Sequence, residues 1–193
     1  MTGAWRGKLI SMATATTTDL VAALPLVTSA PRDVGRVELL VRRPAQDQRE
    51  VVDIIGLTPE TGMDGDTWAT RPSSRTPDKA AHPDMQLTLM NARFVSVVAG
   101  PRERWPLAGD QVYVEFDLSH EHLPAGTRLA LGDAVIEITD QPHTGCAKFT
   151  QRFGLDAMRF VNSELGLANR LRGANAKIVQ AGVVRVGDAI TRL

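Results

Sequence analysis

Residues 127–139 read TRLALGDAVIEIT, and this stretch decides how the chain folds. Two apolar, partly β-branched runs, 127–131 and 134–139, flank the dipeptide Gly132-Asp133. Glycine at the first position of a two-residue turn supplies the positive φ that a tight hairpin needs. The stretch therefore predicts two antiparallel strands joined by a tight turn.

More short strands are predicted outward from this hairpin. Runs rich in β-branched residues occur at 37–41, 51–55 and 112–116, and alternate residues of the last run face one way. Gly-Asp pairs recur at 65–66, 109–110 and 187–188, each near such a run. Regular turns between short strands are typical of a barrel or a sandwich. The fold class is therefore predicted to be mainly β, with a few short helices.

Two helices and one long loop interrupt the strands. Asn91 is placed to cap a helix over 92–99, and Asp156 is placed to cap a second helix over 157–165. Residues 70–83 are rich in proline, serine and charge, without apolar periodicity. We predict a long loop there, and long loops in compact domains are often functional.

The chain length of 193 residues suits a single domain. We predict a partly flexible N-terminal arm at residues 1–33 and one domain at residues 34–193. Within the arm, Asp19 is placed to cap a short helix that Pro25 stops. Met12 is an alternative start to Met1.

Composition excludes several classes of protein. Lys plus Arg equals Asp plus Glu at 22 each, which disfavours binding to nucleic acid because no positive surplus is available. The apolar runs fall short of the roughly 20 residues that cross a bilayer, so no membrane partner is expected. One cysteine forms no internal disulfide and is compatible with a reducing compartment, so we predict the cytoplasm.

That cysteine, Cys146, follows the predicted hairpin on a connection. Gly145 leaves space beside the sulfur, and His143, Lys148 and Arg152 are near enough in sequence to stabilise a thiolate. A thiolate attacks sulfur or binds a soft metal. The residues alone leave a second interpretation open, since unpaired cysteines are often small buried hydrophobes without chemistry.

Two other clusters are weaker candidates. His120-Glu121-His122 places two imidazoles at a spacing that suits zinc, but a third and fourth ligand are missing, and a solvated turn explains the tripeptide better. Arg170 and Arg172 could present guanidinium groups to a phosphate, or lie at a helix end facing water. The sequence contains no Walker A loop, dinucleotide glycine motif or nucleophile elbow.

The order and spacing of several short motifs resemble the MOSC family, a module named after the C-terminal domain of molybdenum cofactor sulfurase. The resemblance is to standalone bacterial members and spans roughly residues 35–193. The motifs are Gly65-Asp66-Thr67-Trp68, QLTLMN at 86–91, Leu123-Pro124-x-Gly126, LGDA at 131–134, PHTGCAKF at 142–149, RGANAKIV at 172–179, and Gly182 to Asp188.

The resemblance implies a β-barrel-like fold with Cys146 as the family cysteine. In that family the cysteine is thought to carry a persulfide to molybdenum or to coordinate the metal. The resemblance thus predicts Cys146 as catalytic residue or metal ligand, with His143 and Lys148 assisting.

The same resemblance implies a binding site for the molybdenum cofactor, a molybdopterin. Arg172 and Asn175 become candidates for holding the pterin or its phosphate. Asp66 and Trp68 are predicted to line the same cleft, and Arg152 to stabilise an anion there.

Three functions remain open, so the chain's status as an enzyme stays undecided. The first is a persulfide carrier, with a cysteine desulfurase as donor and a molybdoenzyme as acceptor. No pyridoxal phosphate is expected in this chain, because it has no room for a desulfurase domain. The second is a molybdenum-containing reductase of N-hydroxylated compounds, with Cys146 as permanent metal ligand. The third is a non-catalytic small-molecule-binding barrel in which Cys146 is buried and inert.

Overall fold

A computed structural model describes residues 14–193. Eleven strands are present in this range: β1 (Val34–Arg42), β2 (Glu50–Val52), β3 (Ile54–Thr58), β4 (Gly62–Met63), β5 (Leu87–Asn91), β6 (Val112–Glu115), β7 (Arg128–Leu131), β8 (Ala134–Ile138), β9 (Ala174–Gln180), β10 (Gly182–Arg185) and β11 (Ala189–Arg192). Seven of them form a closed barrel in the order β11-β7-β8-β9-β5-β6-β1, which a β11–β1 pairing completes. A smaller sheet has the order β10-β3-β4. The predicted mainly β, barrel-like fold is confirmed.

The hairpin predicted from residues 127–139 is present as β7 and β8. Leu131 pairs with Ala134 across the turn, and Gly132 has a φ of 55°. The predicted strand at 51–55 is wrong in its extent, because it is split at Asp53. Residues before Asp53 pair with β1 in the barrel, and those after it pair with β10 in the smaller sheet.

Two apolar clusters make up the core. One fills the barrel and includes Val112, Val114 and Phe116, which confirms that alternate residues of this run face one way. The other lies between the barrel wall and the helices and includes Tyr113, also of β6. A strand buried on both faces explains why this run is almost entirely apolar.

Four helices cover the outside: α1 (Thr17–Thr28), α2 (Ala92–Ala99), α3 (Ala147–Val161) and α4 (Glu164–Ala168). The prediction of α2 is confirmed, including its cap, because the Asn91 side chain accepts hydrogen bonds from the backbone of Arg93 and Phe94. None of the helices in residues 14–193 is long and apolar enough to cross a membrane.

The second predicted helix is wrong in its bounds. It begins at Ala147 rather than near 157, and Gly154 interrupts it with a φ of 90°. Phe149 and Phe153 before the glycine and Ala157 after it are buried, so both segments pack against the core on either side of the kink. A separate helix, α4, is capped by Ser163.

The helix in the N-terminal segment also differs from its prediction. Thr16, not Asp19, is the cap; Asp19 completes a capping box with it. Pro25 lies inside α1 rather than ending it. Leu20 and Val27 are buried in the outer cluster, where α1 contacts α2 and α3. The division at residue 33 stays a prediction, and the alternative start lies outside the described residues.

The predicted long loop is confirmed. It runs between two single-turn 3-10 helices, Trp68–Thr70 and Pro83–Met85, without a strand or helix of its own. A third 3-10 helix, Arg102–Ala108, precedes β6.

Candidate functional site around Cys146

Cys146 lies exposed at the point where the barrel passes into α3. It occupies the N-cap position of this helix, and its carbonyl oxygen accepts a hydrogen bond from the Thr150 amide at 2.9 Å. The unpaired amides at the start of a helix favour negative charge. The sulfur is therefore reachable, in a position that suits an anion.

Side-chain amides from two other elements fix the segment before Cys146. Asn162 holds Gly145 on both sides: its Oδ1 accepts from the Gly145 amide at 2.8 Å, and its Nδ2 donates to the Gly145 carbonyl at 3.2 Å. Asn175 Nδ2 donates to the carbonyl of Gln141 at 3.1 Å. Asn162 was missed in the sequence, since nothing in its neighbourhood distinguishes it from a helix-end residue.

Three basic side chains lie around one carboxylate on the same side of α3. Lys148 Nζ is 2.5 Å from Asp47 Oδ1, and Arg152 Nη2 is 3.6 Å from the same oxygen. Partial burial lowers the pKa of Arg49, and so do the charges of Arg152 and Arg43. Positive charge therefore exceeds negative charge here. Lys148 and Arg152 both contact Asp47, and their predicted stabilisation of an anion at Cys146 stays a prediction.

A buried polar chain lies beneath the segment that carries Cys146. Asp110 Oδ2 accepts from Arg172 Nη1 at 2.7 Å, and its Oδ1 is 3.6 Å from His143 Nδ1. Arg172 also donates to the Ala108 carbonyl at 2.9 Å, and its guanidinium lies 5.0 Å from the ring centre of Phe149. Arg172 thus connects the barrel to the first turn of α3. Its predicted contact with a pterin or phosphate stays a prediction.

Asp66 and Trp68 lie together but belong to a separate buried pair. Asp66 accepts two hydrogen bonds from the Arg43 guanidinium, at 2.8 and 2.9 Å, one from the Arg43 amide at 3.0 Å, and one from the Trp68 amide at 2.9 Å. The Asp66 side chain is fully buried. Each buried carboxylate, Asp66 and Asp110, belongs to a Gly-Asp pair, and the sequence indicated a role beyond a turn only for Asp66. Their arginine partners, Arg43 and Arg172, are far away in sequence.

Several buried polar atoms near Cys146 have no hydrogen-bond partner within residues 14–193: Asp110 Oδ1, His143 Nδ1, Arg172 Nε and Asn175 Oδ1. The first two face each other, which favours the tautomer with hydrogen on Nδ1 and leaves His143 Nε2 as an acceptor. A pocket of roughly 100 Å³ lies beside them, lined by His143, Gly173, His120 and Arg170 among others.

The pair His120 and His122 does not form a metal centre. His122 is buried against the Phe116 ring at a centre-to-centre distance of 5.2 Å, whereas His120 lines the small pocket. In the part of the chain that the structure describes, no group of three or more His, Cys, Asp or Glu residues is placed to hold a metal ion.

His143 gives the site a measurable pH dependence. Burial lowers its pKa well below the usual 6.5, and the charges of Arg172, Arg43 and Arg75 lower it further. Below pH 6.5 the unfolded chain therefore binds a proton that the folded chain excludes. This contribution to stability is complete above pH 6.5 and is lost as the pH falls.

We expect the free energy of unfolding to fall between pH 7 and pH 5, by up to about 1.4 kcal/mol per pH unit from this histidine. His143→Gln should reduce that slope in urea titrations at pH 7.5, 6.5 and 5.5. Some slope should remain, because burial also lowers the pKa of His120 and His122. A variant with the wild-type slope would contradict a neutral buried imidazole.

Comparison with known proteins places this geometry in a family. The family model for the MOSC domain matches residues 86–191, more than half of the chain. The chain belongs to the MOSC domain family. The match includes Cys146, Asp110 and Arg172, and begins after Asp66 and Trp68. Proteins of the MOSC family are associated with the molybdenum cofactor.

Solved MOSC-like structures have the same fold. The YuaD protein from Bacillus subtilis is 18% identical, with a TM-score of 0.58 over 83% of this chain and 96% of that one. YiiM from Escherichia coli is 17% identical, with a TM-score of 0.52 over 82% and 69% of the two chains. YiiM from Geobacillus stearothermophilus is 11% identical, with a TM-score of 0.53 over 82% and 75%. A search of curated proteins finds no significant match.

Proposed function

We propose that this MOSC protein accepts a persulfide sulfur on Cys146 from a cysteine desulfurase and passes it to the molybdenum cofactor of a partner enzyme. The exposed position of Cys146 at the start of α3 carries the proposal, because sulfur exchange between proteins needs a thiolate that another protein can reach. The donor, the acceptor and the cytoplasmic location belong to the proposal.

The loading step is a sulfur exchange without net oxidation. The Cys146 thiolate attacks the terminal sulfur of the donor's cysteine persulfide. The new S–S bond forms on Cys146, the old S–S bond breaks, and the donor cysteine leaves as a thiolate. Lys148 and Arg152, which lie one turn apart at the start of α3, stabilise the terminal persulfide anion.

The surroundings of Cys146 fit a molybdenum cofactor. A thiolate suits a thiophilic metal, the excess of basic side chains suits a phosphate, and His143 Nε2 with the unpartnered Asn175 Oδ1 suits a polar ring edge. Cys146 would contact the metal, and Arg152, Lys148 and Arg49 would hold the phosphate. When bound, the cofactor supplies two-electron redox chemistry at molybdenum.

The unpartnered Asn175 Oδ1 and Arg172 Nε favour a second candidate, in which the cofactor stays bound. Buried polar groups without partners are rare and costly, so a permanent ligand would explain them. The chain would then be a molybdenum-containing reductase, acting on N-hydroxylated compounds, with Cys146 as metal ligand. Protein from a host that makes the cofactor should then contain nearly one molybdenum per chain. A sulfur carrier would contain traces.

A non-catalytic barrel with a buried, inert cysteine has less support. Cys146 is exposed, and apolar side chains fill the barrel of the described chain. Thiol labelling distinguishes this alternative, because a reachable cysteine is modified as fast in the native protein as in the unfolded one.

Cyanide release of sulfur tests the carrier proposal directly. Purified protein is incubated with a desulfurase and cysteine, separated from both, and treated with cyanide. We expect close to one thiocyanate per chain, because the sequence contains one cysteine. Cys146→Ala should release none, whereas Thr144→Ala, an exposed neighbour, should release the wild-type amount. Equal release from Cys146→Ala and wild type would refute the proposal.

A further inference from the structure

Arg170 is a buried arginine that lacks an acidic partner. Its residue surface is only 7% exposed, and it lines the pocket of roughly 100 Å³ that shares His143 with the Cys146 site. Within residues 14–193 it forms no ion pair with a carboxylate. Burial lowers the pKa of Arg170 to about 10, so the guanidinium is still charged at neutral pH. Buried charges in proteins are usually paired, which makes this one unusual.

The protein uses only part of this guanidinium. Arg170 Nη1 donates to the carbonyl oxygens of Leu118 and Leu123, at 3.2 and 2.6 Å. Its Nε and Nη2 make no hydrogen bond in the described part of the chain. These two atoms form the edge of an arginine that donates paired hydrogen bonds to two oxygens of one ligand group. The fixed Nη1 therefore orients a side chain whose remaining donors are available.

The backbone of Arg170 adopts a conformation that disfavours a long side chain. Arg170 follows α4 with a φ of 44°, in the left-handed region. Glycine or asparagine usually occupies this position after a helix, because other side chains cost free energy there. An arginine at this position indicates a role for its guanidinium that offsets the cost.

The charged neighbours of Arg170 in the pocket favour an anion. Burial lowers the pKa of His120, and the charge of Arg170 lowers it further, so the two side chains lie close enough to interact. An anion between them would offset this repulsion. Asp140 also lines the pocket, but it is exposed, and its Oδ1 accepts a hydrogen bond from the Gln141 side chain at 3.1 Å.

The size and the apolar part of the pocket restrict the anion to a small one. Its volume is well below the roughly 300–1,000 Å³ of pockets that enclose a drug-sized ligand. Pro142, Leu167 and Ala174 supply apolar surface beside the charged groups. One buried guanidinium offsets the single charge of a carboxylate, whereas a phosphate dianion would keep an uncompensated charge.

We propose that this pocket binds the carboxylate of a short aliphatic acid, with Arg170 as the paired hydrogen-bond donor. The two oxygens of a planar carboxylate match the free edge of the guanidinium, and the apolar surface contacts the short alkyl chain. The inference goes beyond sulfur transfer, because Cys146, Lys148 and Arg152 do not line the pocket.

NMR spectroscopy of the four histidine rings in the full chain tests this inference. Sodium acetate replaces sodium chloride at constant ionic strength and pH 7. We expect a saturable shift of the His120 ring signals, in the millimolar range or tighter, and none for His122, which lies outside the pocket. Acetate should also raise the pKa of His120, because a bound anion offsets the charge of Arg170. Benzoate is too large and should give no saturable shift.

Two arginine variants identify the group that binds acetate. Arg170→Lys keeps a positive charge but loses the paired donors, and it should weaken acetate binding by about tenfold or more. Arg192→Gln is the matched control, because Arg192 also donates to a backbone carbonyl, that of His122, but does not line the pocket. This control should bind acetate as wild type does. Cooperative urea unfolding establishes that each variant has folded.

Four results would overturn the inference. They are no saturable shift of His120 with acetate, an equal shift with benzoate, saturation by inorganic phosphate but not by acetate, and wild-type affinity in Arg170→Lys. The first three use the wild-type protein and do not depend on the folding of any variant. Cys146→Ala should bind acetate as wild type does, so a failure of sulfur transfer leaves this inference standing.

Discussion

Arg172→Met is expected to destabilise the fold by about 3–5 kcal/mol, the usual cost of removing one partner from a buried ion pair. The Asp110 side chain is fully buried, and Arg172 is its closest charged partner at 2.7 Å. Methionine keeps an apolar side chain over the Phe149 ring. It leaves the buried Asp110 carboxylate without the positive charge of Arg172. Urea unfolding at pH 7 measures the loss.

The pH dependence of this loss identifies its cause. Burial raises the pKa of Asp110 above its usual 3.8, and Arg172 opposes that rise. A folded pKa above the unfolded one gives stability that is complete below pH 3.8 and is lost as the pH rises through the folded pKa. Removing Arg172 raises the folded pKa further, so the effect of Arg172→Met should be largest at neutral pH and shrink on acidification.

A double variant provides the control. Arg172→Met with Asp110→Asn removes both charges and should recover at least half of the lost free energy at pH 7. If the double variant is as unstable as Arg172→Met, lost packing against Phe149 explains the effect, and the unpaired charge of buried Asp110 does not.

Gly173→Ala is expected to destabilise the protein by about 3 kcal/mol or more, from backbone strain and overpacking together. Gly173 has a φ of 115°, a conformation that favours glycine. A methyl group there would lie 2.3 Å from the Leu89 carbonyl oxygen and 3.0 Å from His143 Nδ1. It would force β5 and β9 apart and displace the imidazole beneath Cys146.

Gly126→Ala separates these two causes. Gly126 also has a positive φ, 88°, but a methyl group there would meet nothing within 4 Å. We expect a loss of about 1 kcal/mol, from backbone strain alone. Urea unfolding measures both variants, and equal losses would show that the predicted clash at Gly173 relaxes without cost.

Much of the fold could be predicted because it is encoded locally. The turn at Gly132, the cap at Asn91 and the alternating residues of β6 each depend on neighbours along the chain. The placement of Cys146 on a connection followed from the predicted hairpin before it, whereas its exposure did not, because the residues alone left a buried cysteine open.

The parts that escaped prediction depend on residues distant in sequence. Asp110 and Arg172 are 62 residues apart, and Asn162 reaches Gly145 across 17. Residues 51–55 are apolar on both sides of Asp53, so the sequence gives no sign of a break. Only the pairing of β2 with β1 and of β3 with β10 shows that the run divides between two sheets. The start of α3 was misplaced because Asp156 suggested a cap, whereas the helical span begins at Ala147 and continues, with a kink at Gly154, to Val161.

The pairing of β1 with β11 also bears on how the protein folds. Val34 lies opposite Thr191, so the last seam of the barrel joins segments separated by nearly the whole chain. Loop-closure entropy makes such nonlocal contacts slow to form, whereas the β7–β8 hairpin needs only its own residues. The β7–β8 hairpin, which precedes Cys146, is therefore expected to form early. An intermediate in which β1 and β11 are still unpaired is expected to precede the closed barrel.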